Sequence, residues 1–309
     1  MVQFTDEDRR MLQVLIDHHL APMETIAAQL AMDSGENARR RINKFCERYQ
    51  CIPCVQILDY PRLQLHPFFQ ITTDPLLDTR FRVRQFELFG SGTEYLSLCA
   101  VPEASQVPDA SETVYPITKI YRPSNNIRLV YEEARTLGFT DEWLLNLKEV
   151  MVEQELGDIM VHQEGGEAAP IALDRDLLDQ LGKIYLSDLP KLFDHRAKAL
   201  LKTYGGLLSA YLEIALPGMT DYLLILDGVR NPAHFAGGFI GRFPLTELYE
   251  APHALIARIQ TPEPNYAKFN LSLYTHLIAV ATPNLWLLVH DARSFTLQDQ
   301  WEDGHWKID

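Results

Sequence analysis

The sequence contains few cysteines and fewer basic than acidic residues. Only four of its 309 residues are cysteine, all before residue 100, a distribution that does not suit a secreted, disulfide-braced domain. Lys and Arg number 28 against 42 Asp and Glu, so the formal net charge is -14. Because such a chain repels polyanions at long range, any nucleic-acid binding requires a local concentration of cations.

Long apolar runs are absent as well. His, Asp or Pro interrupts each apolar stretch before it reaches membrane-spanning length. The opening segment MVQFTDEDRR lacks the basic region and apolar stretch of a signal peptide. We therefore expect a cytoplasmic protein with no membrane partner. The length and the 47% hydrophobic content suit two or three globular domains.

The first thirty-four residues predict two helices and the start of a third. Thr5 stands three residues before Asp8, a pattern typical of a helix start, and apolar residues at helical spacing follow it. A second, short helix is expected over Met23–Leu30. A tight turn then leads to Asp33 or Ser34, either of which can cap the N-terminus of a third helix.

The third helix, expected over Gly35–Tyr49, has two contrasting faces. One face is apolar and comprises Ala38, Ile42, Phe45 and Tyr49. The opposite face carries Asn37 and a stripe of Arg and Lys. Between Arg39 and Arg48 there are five basic residues and one acidic residue, a local exception in an acidic chain.

An exposed basic helix after a short turn is suited to the major groove of DNA. Arg can contact guanine edges, Asn can contact adenine, and the remaining cations can hold phosphates. The residues predicted to contact DNA are Ser34, Asn37, Arg39, Arg40, Arg41, Lys44 and Arg48. The alternative is a helix-turn-helix used only for contacts with protein.

Extended segments follow the three helices. Cys51–Leu58 is rich in Ile, Val and Gln and predicts a strand, Asp59–Pro61 predicts a turn, and Phe68–Thr72 predicts a second strand. Three short helices followed by extended segments are typical of a winged helix-turn-helix.

These segments resemble the Lrp/AsnC family of transcriptional regulators and related archaeal winged-helix regulators. The resemblance rests on FTDEDRRMLQVLIDHHLAPMETIAAQLAMDSGENARRRINKF and continues through CVQILDYPRLQLHPFFQI. It covers about the first seventy residues and implies that Ser34–Arg48 is the recognition helix. The chain departs from the family at Tyr49-Gln50, where a glycine is usual. By resemblance, the later lobes would bind a small-molecule effector at subunit interfaces.

The remaining sequence predicts an α+β fold that is a tandem duplication. Strands are expected over Tyr95–Val101 and Val114–Tyr121, and FELFGSGTEYLSLCAVPEASQ has an echo in FPLTELYEAPHALIARIQTPEPN. LDRDLLDQLGKIYLSDLPKLFDHRAKALLKTY echoes the first helix-turn-helix without its dense basic stripe, which suggests a degenerate copy. The expected domains are 1–60 (winged helix-turn-helix), 61–125 (first α/β lobe), 126–170 (helical connector and linker) and 171–309 (degenerate winged helix and second α/β lobe).

The cysteines are the clearest candidate for metal chemistry. Cys46, Cys51 and Cys54, with the distant Cys99, match the spacing by which plant-type ferredoxins bind an iron–sulfur cluster, and thiolates also bind zinc. A redox-responsive dithiol is a second interpretation. Against both, Cys is a common small core residue, and a regular strand would place Cys51 and Cys54 on opposite faces.

Three functions are consistent with these patterns. The first is a homodimeric, DNA-binding transcriptional regulator whose C-terminal lobes either sense an effector or mediate oligomerisation; no catalytic motif is found, so we do not expect an enzyme. The second is a siroheme-decarboxylase-like enzyme on a tandem Lrp/AsnC scaffold, which the acidity and the duplication favour and the basic stripe disfavours. The third is a protein-interaction module of the transcription apparatus.

Overall fold

The computed structural model describes residues 5–18, 21–49, 51–75, 80–108, 113–121, 171–186, 208–214, 219–229, 232, 245–262 and 282–307. The chain forms two compact units. Unit 1 comprises Met1–Leu58 and Ser187–Met219, and unit 2 comprises Asp59–Leu186 and Thr220–Asp309. The predicted connector over 126–170 lies outside the described residues, and the predicted domain boundaries stay a prediction.

Three helices open unit 1: α1 (Asp6–His18), α2 (Met23–Gln29) and α3 (Gly35–Tyr49). The cap predicted for α1 is present, because the Thr5 N–H donates to Asp8 Oδ2 at 2.9 Å and the Asp8 N–H donates to Thr5 Oγ1 at 3.1 Å. At α3, the Asn37 N–H donates to Ser34 Oγ at 3.3 Å. Ser34 rather than Asp33 therefore caps the third helix.

The helices of unit 1 pack through the apolar faces that the spacing predicts. Ala38 and Ile42 are fully buried and Phe45 nearly so, together with Leu15 and Ile26 from the other two helices. Steric contact sets the approach of α2 to α3: a Cβ at Gly35 would lie 3.0 Å from Met23 Cβ and from Glu24 Oε1. The turn between these helices contains Ala31 at φ +54, a left-handed conformation that glycine adopts more readily.

A two-stranded antiparallel sheet completes unit 1. Its first strand is β1 (Cys51–Leu58), as predicted, and its second is β7 (Leu208–Ile214). The partner of β1 thus comes from the second half of the chain, and Phe68–Thr72 belongs to the large sheet of unit 2. The chain leaves β1 through a turn in which the Arg62 N–H donates to Asp59 Oδ1 at 3.1 Å, and Tyr60 and Leu63 anchor this turn in the core of unit 2.

Unit 2 is built on a nine-stranded sheet. Its strands are β2 (His66–Thr72), β3 (Arg82–Phe89), β4 (Thr93–Val101), β5 (Val114–Pro116), β6 (Lys119–Tyr121), β8 (Met219–Asp227), β9 (Leu245–Ala251), β10 (Ala254–Pro262) and β11 (Thr282–Arg293). Their order in the sheet is β5-β2-β4-β3-β11-β8-β10-β9-β6, and all of the pairings described between them are antiparallel. The α+β class is confirmed, whereas no strand was predicted for the segment that forms β3.

The large sheet closes on itself. Its two terminal strands, β5 and β6, are separated by residues 117–118 alone. The Ile117 N–H donates to the Pro67 carbonyl at 2.9 Å, and the Thr118 N–H donates to the Glu250 carbonyl at 2.8 Å. The segment from β5 to β6 therefore pairs with β2 on one side and with β9 on the other.

The two halves of the chain contribute their final strands to the large sheet in the same way. Strand β11 pairs with β8 through its first residues and with β3 through its last, just as the β5–β6 segment pairs with β2 and then with β9. The final strand of each half thus pairs first with a strand of its own half and then with a strand of the other half. This exchange is the arrangement expected of the predicted tandem duplication.

A fourth described helix, α4 (Arg175–Tyr185), packs within unit 2. The Asp174 side chain caps it by accepting from the Leu177 N–H at 2.7 Å, and the Tyr185 hydroxyl donates to the Val83 carbonyl at 3.2 Å. The predicted helices that would follow α4 lie outside the described residues.

The short strands β12 (Trp301–Glu302) and β13 (His305–Trp306) form a separate hairpin. Within the described ranges, none of the helices is long and apolar enough to cross a membrane.

Candidate nucleic-acid interface

The face of α3 opposite its buried residues is exposed and basic. Arg39, Arg40, Lys44 and Arg48 are exposed and Arg41 is half-buried. The exposure of these cations follows from helical periodicity, because Ala38, Ile42 and Phe45 occupy the positions of α3 that face the unit 1 core. The structure thus places all the predicted DNA-contacting residues on one helix and its cap, and their role in binding DNA stays a prediction.

Two of the cations on α3 are bound by carboxylates of the same unit. Arg40 Nε lies 3.2 Å from Glu36 Oε1, one helical turn away, and both side chains are largely exposed. Arg41 forms an ion pair with Glu7 of α1. Exposed pairs of this kind contribute about 0–1 kcal/mol, so a phosphate or base edge can displace these carboxylates at small cost.

A cleft of about 540 Å³ lies between the α2–α3 turn and α3. Asn37, Arg40, Arg41 and Lys44 line one side of it, and the turn residues Ala31 to Asp33 line the other. A smaller cleft of about 190 Å³ lies between α1 and α3, where Lys44 and Arg48 are beside Glu7 and Asp8. The first cleft is the more cationic of the two and is open to a polyanionic ligand.

The metal site predicted at the four cysteines stays a prediction. Cys46 is half-buried, Cys99 is buried in β4, and neither is in a disulfide; the side chains of Cys51 and Cys54 lie outside the described residues. Among the described residues, no three His, Cys, Asp or Glu side chains are grouped to hold a metal ion. Strand β1 runs through Cys51 and Cys54, and its register against β7 shifts between Ile52 and Val55. The regular alternation that would place these two cysteines on opposite faces is therefore interrupted between them.

Unit 2 contains a buried group of charged residues that the sequence interpretation missed. Arg84 Nη1 lies 2.5 Å from Glu247 Oε1, and Arg84 Nε lies 2.7 Å from Asp291 Oδ1. Arg258 Nη2 lies 2.6 Å from Asp221 Oδ2, and Arg258 Nη1 lies 3.2 Å from Asp291 Oδ2. These five residues, which we call the inner ion cluster, come from five different strands, so no local spacing could have indicated them.

The charges of the inner ion cluster hold Arg84, Glu247 and Asp291 ionised despite burial. Burial by itself would raise the pKa of Asp291, but the Arg84 and Arg258 guanidiniums outweigh it and lower that pKa to about 2. The same balance lowers the pKa of Glu247. Burial would lower the pKa of Arg84, yet Glu247 and Asp291 raise it above its usual range. Such reciprocal shifts are typical of a structural ion network as well as of functional sites.

Comparison with known proteins identifies no family. No protein-family model matches the chain, and no curated protein matches its sequence. Two solved structures are similar to it: the crystal structure of the siroheme decarboxylase NirDL, with a TM-score of 0.41, and that of the same enzyme in co-complex with an iron-uroporphyrin III analogue, with a TM-score of 0.39. In both cases the identity is 14%, and the match covers 93% of this chain and 92% of the other.

Proposed function

We propose that this protein binds double-stranded DNA through α3 and acts as a transcriptional regulator. The observation that carries the proposal is the exposed basic face of α3, which combines four exposed cations with Asn37. Helix α3 is the second helix of the helix–turn–helix formed with α2. Duplex DNA presents a groove that admits a helix and a dense row of phosphates along its edges. Sequence-dependent contacts come from Asn37 and Arg40, and phosphate contacts from Lys44 and Arg48.

Salt dependence gives the first test. Fluorescence anisotropy of a labelled duplex of about 30 base pairs is measured between 50 and 200 mM salt. Because bound cations release counterions, log Kd should rise linearly with log salt concentration, with a slope near 0.9 for each phosphate contacted. An Arg40→Ala/Lys44→Ala variant should lose about 30-fold in affinity and show a shallower slope.

A matched variant controls for the loss of charge alone. Arg175→Ala/Lys183→Ala removes two exposed cations from α4 in unit 2, each of which pairs with a surface carboxylate. This variant should bind DNA as the unmodified protein does. Equal affinity of both double variants for DNA would overturn the assignment of α3 as the binding element.

Siroheme decarboxylation, the activity named for the two similar solved structures, is the second candidate function. It is favoured by the two halves of one chain sharing a closed sheet. Its test is an absorbance titration with an iron-uroporphyrin III analogue. A saturable change in the spectrum, unchanged in the Arg40→Ala/Lys44→Ala variant, together with no salt-dependent DNA binding, would favour this function over DNA binding.

Self-association and a small-molecule effector are further parts of the regulator proposal. A homodimer would present two copies of α3, which increases affinity through multivalency. Light scattering of the purified full chain measures the oligomeric state, and a monomer that binds DNA with undiminished affinity would show that one copy of α3 suffices.

A further inference from the structure

The cleft beside α3 contains a carboxylate among its cations. Asp33 lies in the turn before α3 and lines the same cleft of about 540 Å³ as Asn37, Arg40 and Lys44. We propose that Asp33 is a specificity-determining residue that selects cytosine at one position of the DNA site by accepting a hydrogen bond from the cytosine N4 amino group. The inference rests on the proposed function, because it assigns a role within the same interface.

Within the described part of the chain, the caps and ion pairs around α3 do not involve the Asp33 side chain. The capping position of α3 is taken by Ser34, whose Oγ accepts from the Asn37 N–H. Arg40 and Arg41, the two guanidiniums that line the cleft, are bound to Glu36 and Glu7. Among the residues that the structure describes, none forms a hydrogen bond or an ion pair with the exposed Asp33 carboxylate.

The position of Asp33 is suited to reading bases. When a helix-turn-helix docks, the N-terminal residues of its recognition helix contact base edges in the major groove. Asp33 lies in the turn directly before α3, and it lines the same cleft as Asn37 and Arg40. Lys44 lies one helical turn beyond Arg40 and lines this cleft as well, where phosphate contact is available.

The chemistry of a carboxylate restricts its target. An ionised carboxylate accepts hydrogen bonds and donates none, and it is repelled by phosphates. In the major groove its complement is an exocyclic amino group, and Asp and Glu pair with cytosine N4, whereas Asn pairs with adenine and Arg with guanine. The three neighbouring side chains therefore read three different bases.

Selection from a randomised duplex library, followed by anisotropy on single-base variants of the selected site, tests the proposal. The unmodified protein should prefer cytosine at one position by about tenfold or more. Asp33→Ala should lose the preference at that position alone and keep the preferences at its neighbours. Circular dichroism establishes that the variant is folded.

Glu47→Gln is the matched control, because it removes one exposed carboxylate from α3 at a position that does not line the cleft. It should change overall affinity through charge while retaining every base preference. Retention of the cytosine preference in Asp33→Ala would overturn the role of Asp33 and leave the proposed function standing. Absence of DNA binding by the unmodified protein and both variants would overturn the proposed function, and this inference with it.

Discussion

Arg84 and Glu247 form a buried ion pair that joins the two halves of the chain inside unit 2. The Arg84 guanidinium on β3 donates to both carboxylate oxygens of Glu247 on β9, at 2.5 and 2.7 Å, across 163 residues of sequence. Both side chains are almost completely buried, and the Tyr249 hydroxyl donates to Glu247 at 2.8 Å. The first half of the chain thus supplies the cation and the second half supplies the carboxylate, so pairing of the two halves neutralises both buried charges.

Removal of Arg84 should therefore destabilise the protein strongly. Arg84→Met leaves two carboxylates buried without their main counter-charge, and breaking a buried pair on one side costs about 3–5 kcal/mol. Urea unfolding measures the free energy of unfolding. Arg175→Met, which removes an exposed guanidinium 4.0 Å from Asp299, should cost less than about 1 kcal/mol. If Arg84→Met does not fold, Arg84→Met/Glu247→Leu should regain part of the lost stability, and a double variant no better than the single one would argue against the pair.

Stability should fall at acidic pH through the inner ion cluster. The folded state lowers the pKa of Asp291 to about 2, whereas an Asp in the unfolded chain titrates near 3.9. A carboxylate with a lowered folded-state pKa contributes stability above its unfolded pKa and loses that contribution as the pH falls towards the folded value. The free energy of unfolding should therefore decline between about pH 4 and pH 2, by up to about 2.5 kcal/mol from this one group.

Asp291→Asn should make that decline shallower, as measured by unfolding at a series of pH values. Asp299→Asn, at an exposed position, should leave it unchanged. Identical pH profiles for the unmodified protein and Asp291→Asn would show that another group controls acid sensitivity.

Replacement of Gly182 by alanine should destabilise α4 despite alanine's higher helix propensity. A Cβ at residue 182 would lie 2.5 Å from Phe295 Cδ1, and the overpacking costs about 1–3 kcal/mol, more than the roughly 1 kcal/mol gained in propensity. Thermal unfolding monitors the loss. Gly92→Ala is the comparison, because a Cβ there meets nothing within 4 Å, and a similar loss from both variants would remove the steric explanation.

Gly35→Ala should weaken DNA binding without changing the charge of the interface. The new methyl group would lie 3.0 Å from Met23 Cβ and from Glu24 Oε1, so α3 must shift against α2. A shift of a few tenths of an ångström moves Asn37 and Arg40 together relative to the turn. We expect about a threefold to tenfold loss of specific affinity with an unchanged salt slope, since the number of cations is the same. A change in the slope instead would indicate lost phosphate contacts.

Local physics made much of unit 1 predictable. The spacing of Ala38, Ile42 and Phe45 determined which face of α3 is buried, and the Thr5 and Ser34 hydroxyls marked where two helices begin. These signals act within one or two helical turns, so they can be read along the chain. The basic face of α3 follows from them directly, because the side opposite an apolar stripe is exposed.

The tertiary structure alone decided the pairing of strands and the inner ion cluster. An extended segment such as β1 carries no local record of its partner, which is β7, more than a hundred residues later. No motif in the sequence singles out Arg84, and only burial beside Glu247 and Asp291 gives it a structural role. Charge and apolar periodicity along the chain thus determined the helices and their exposed face, whereas contacts between distant strands, which depend on how the two halves close one sheet, determined the interior of unit 2.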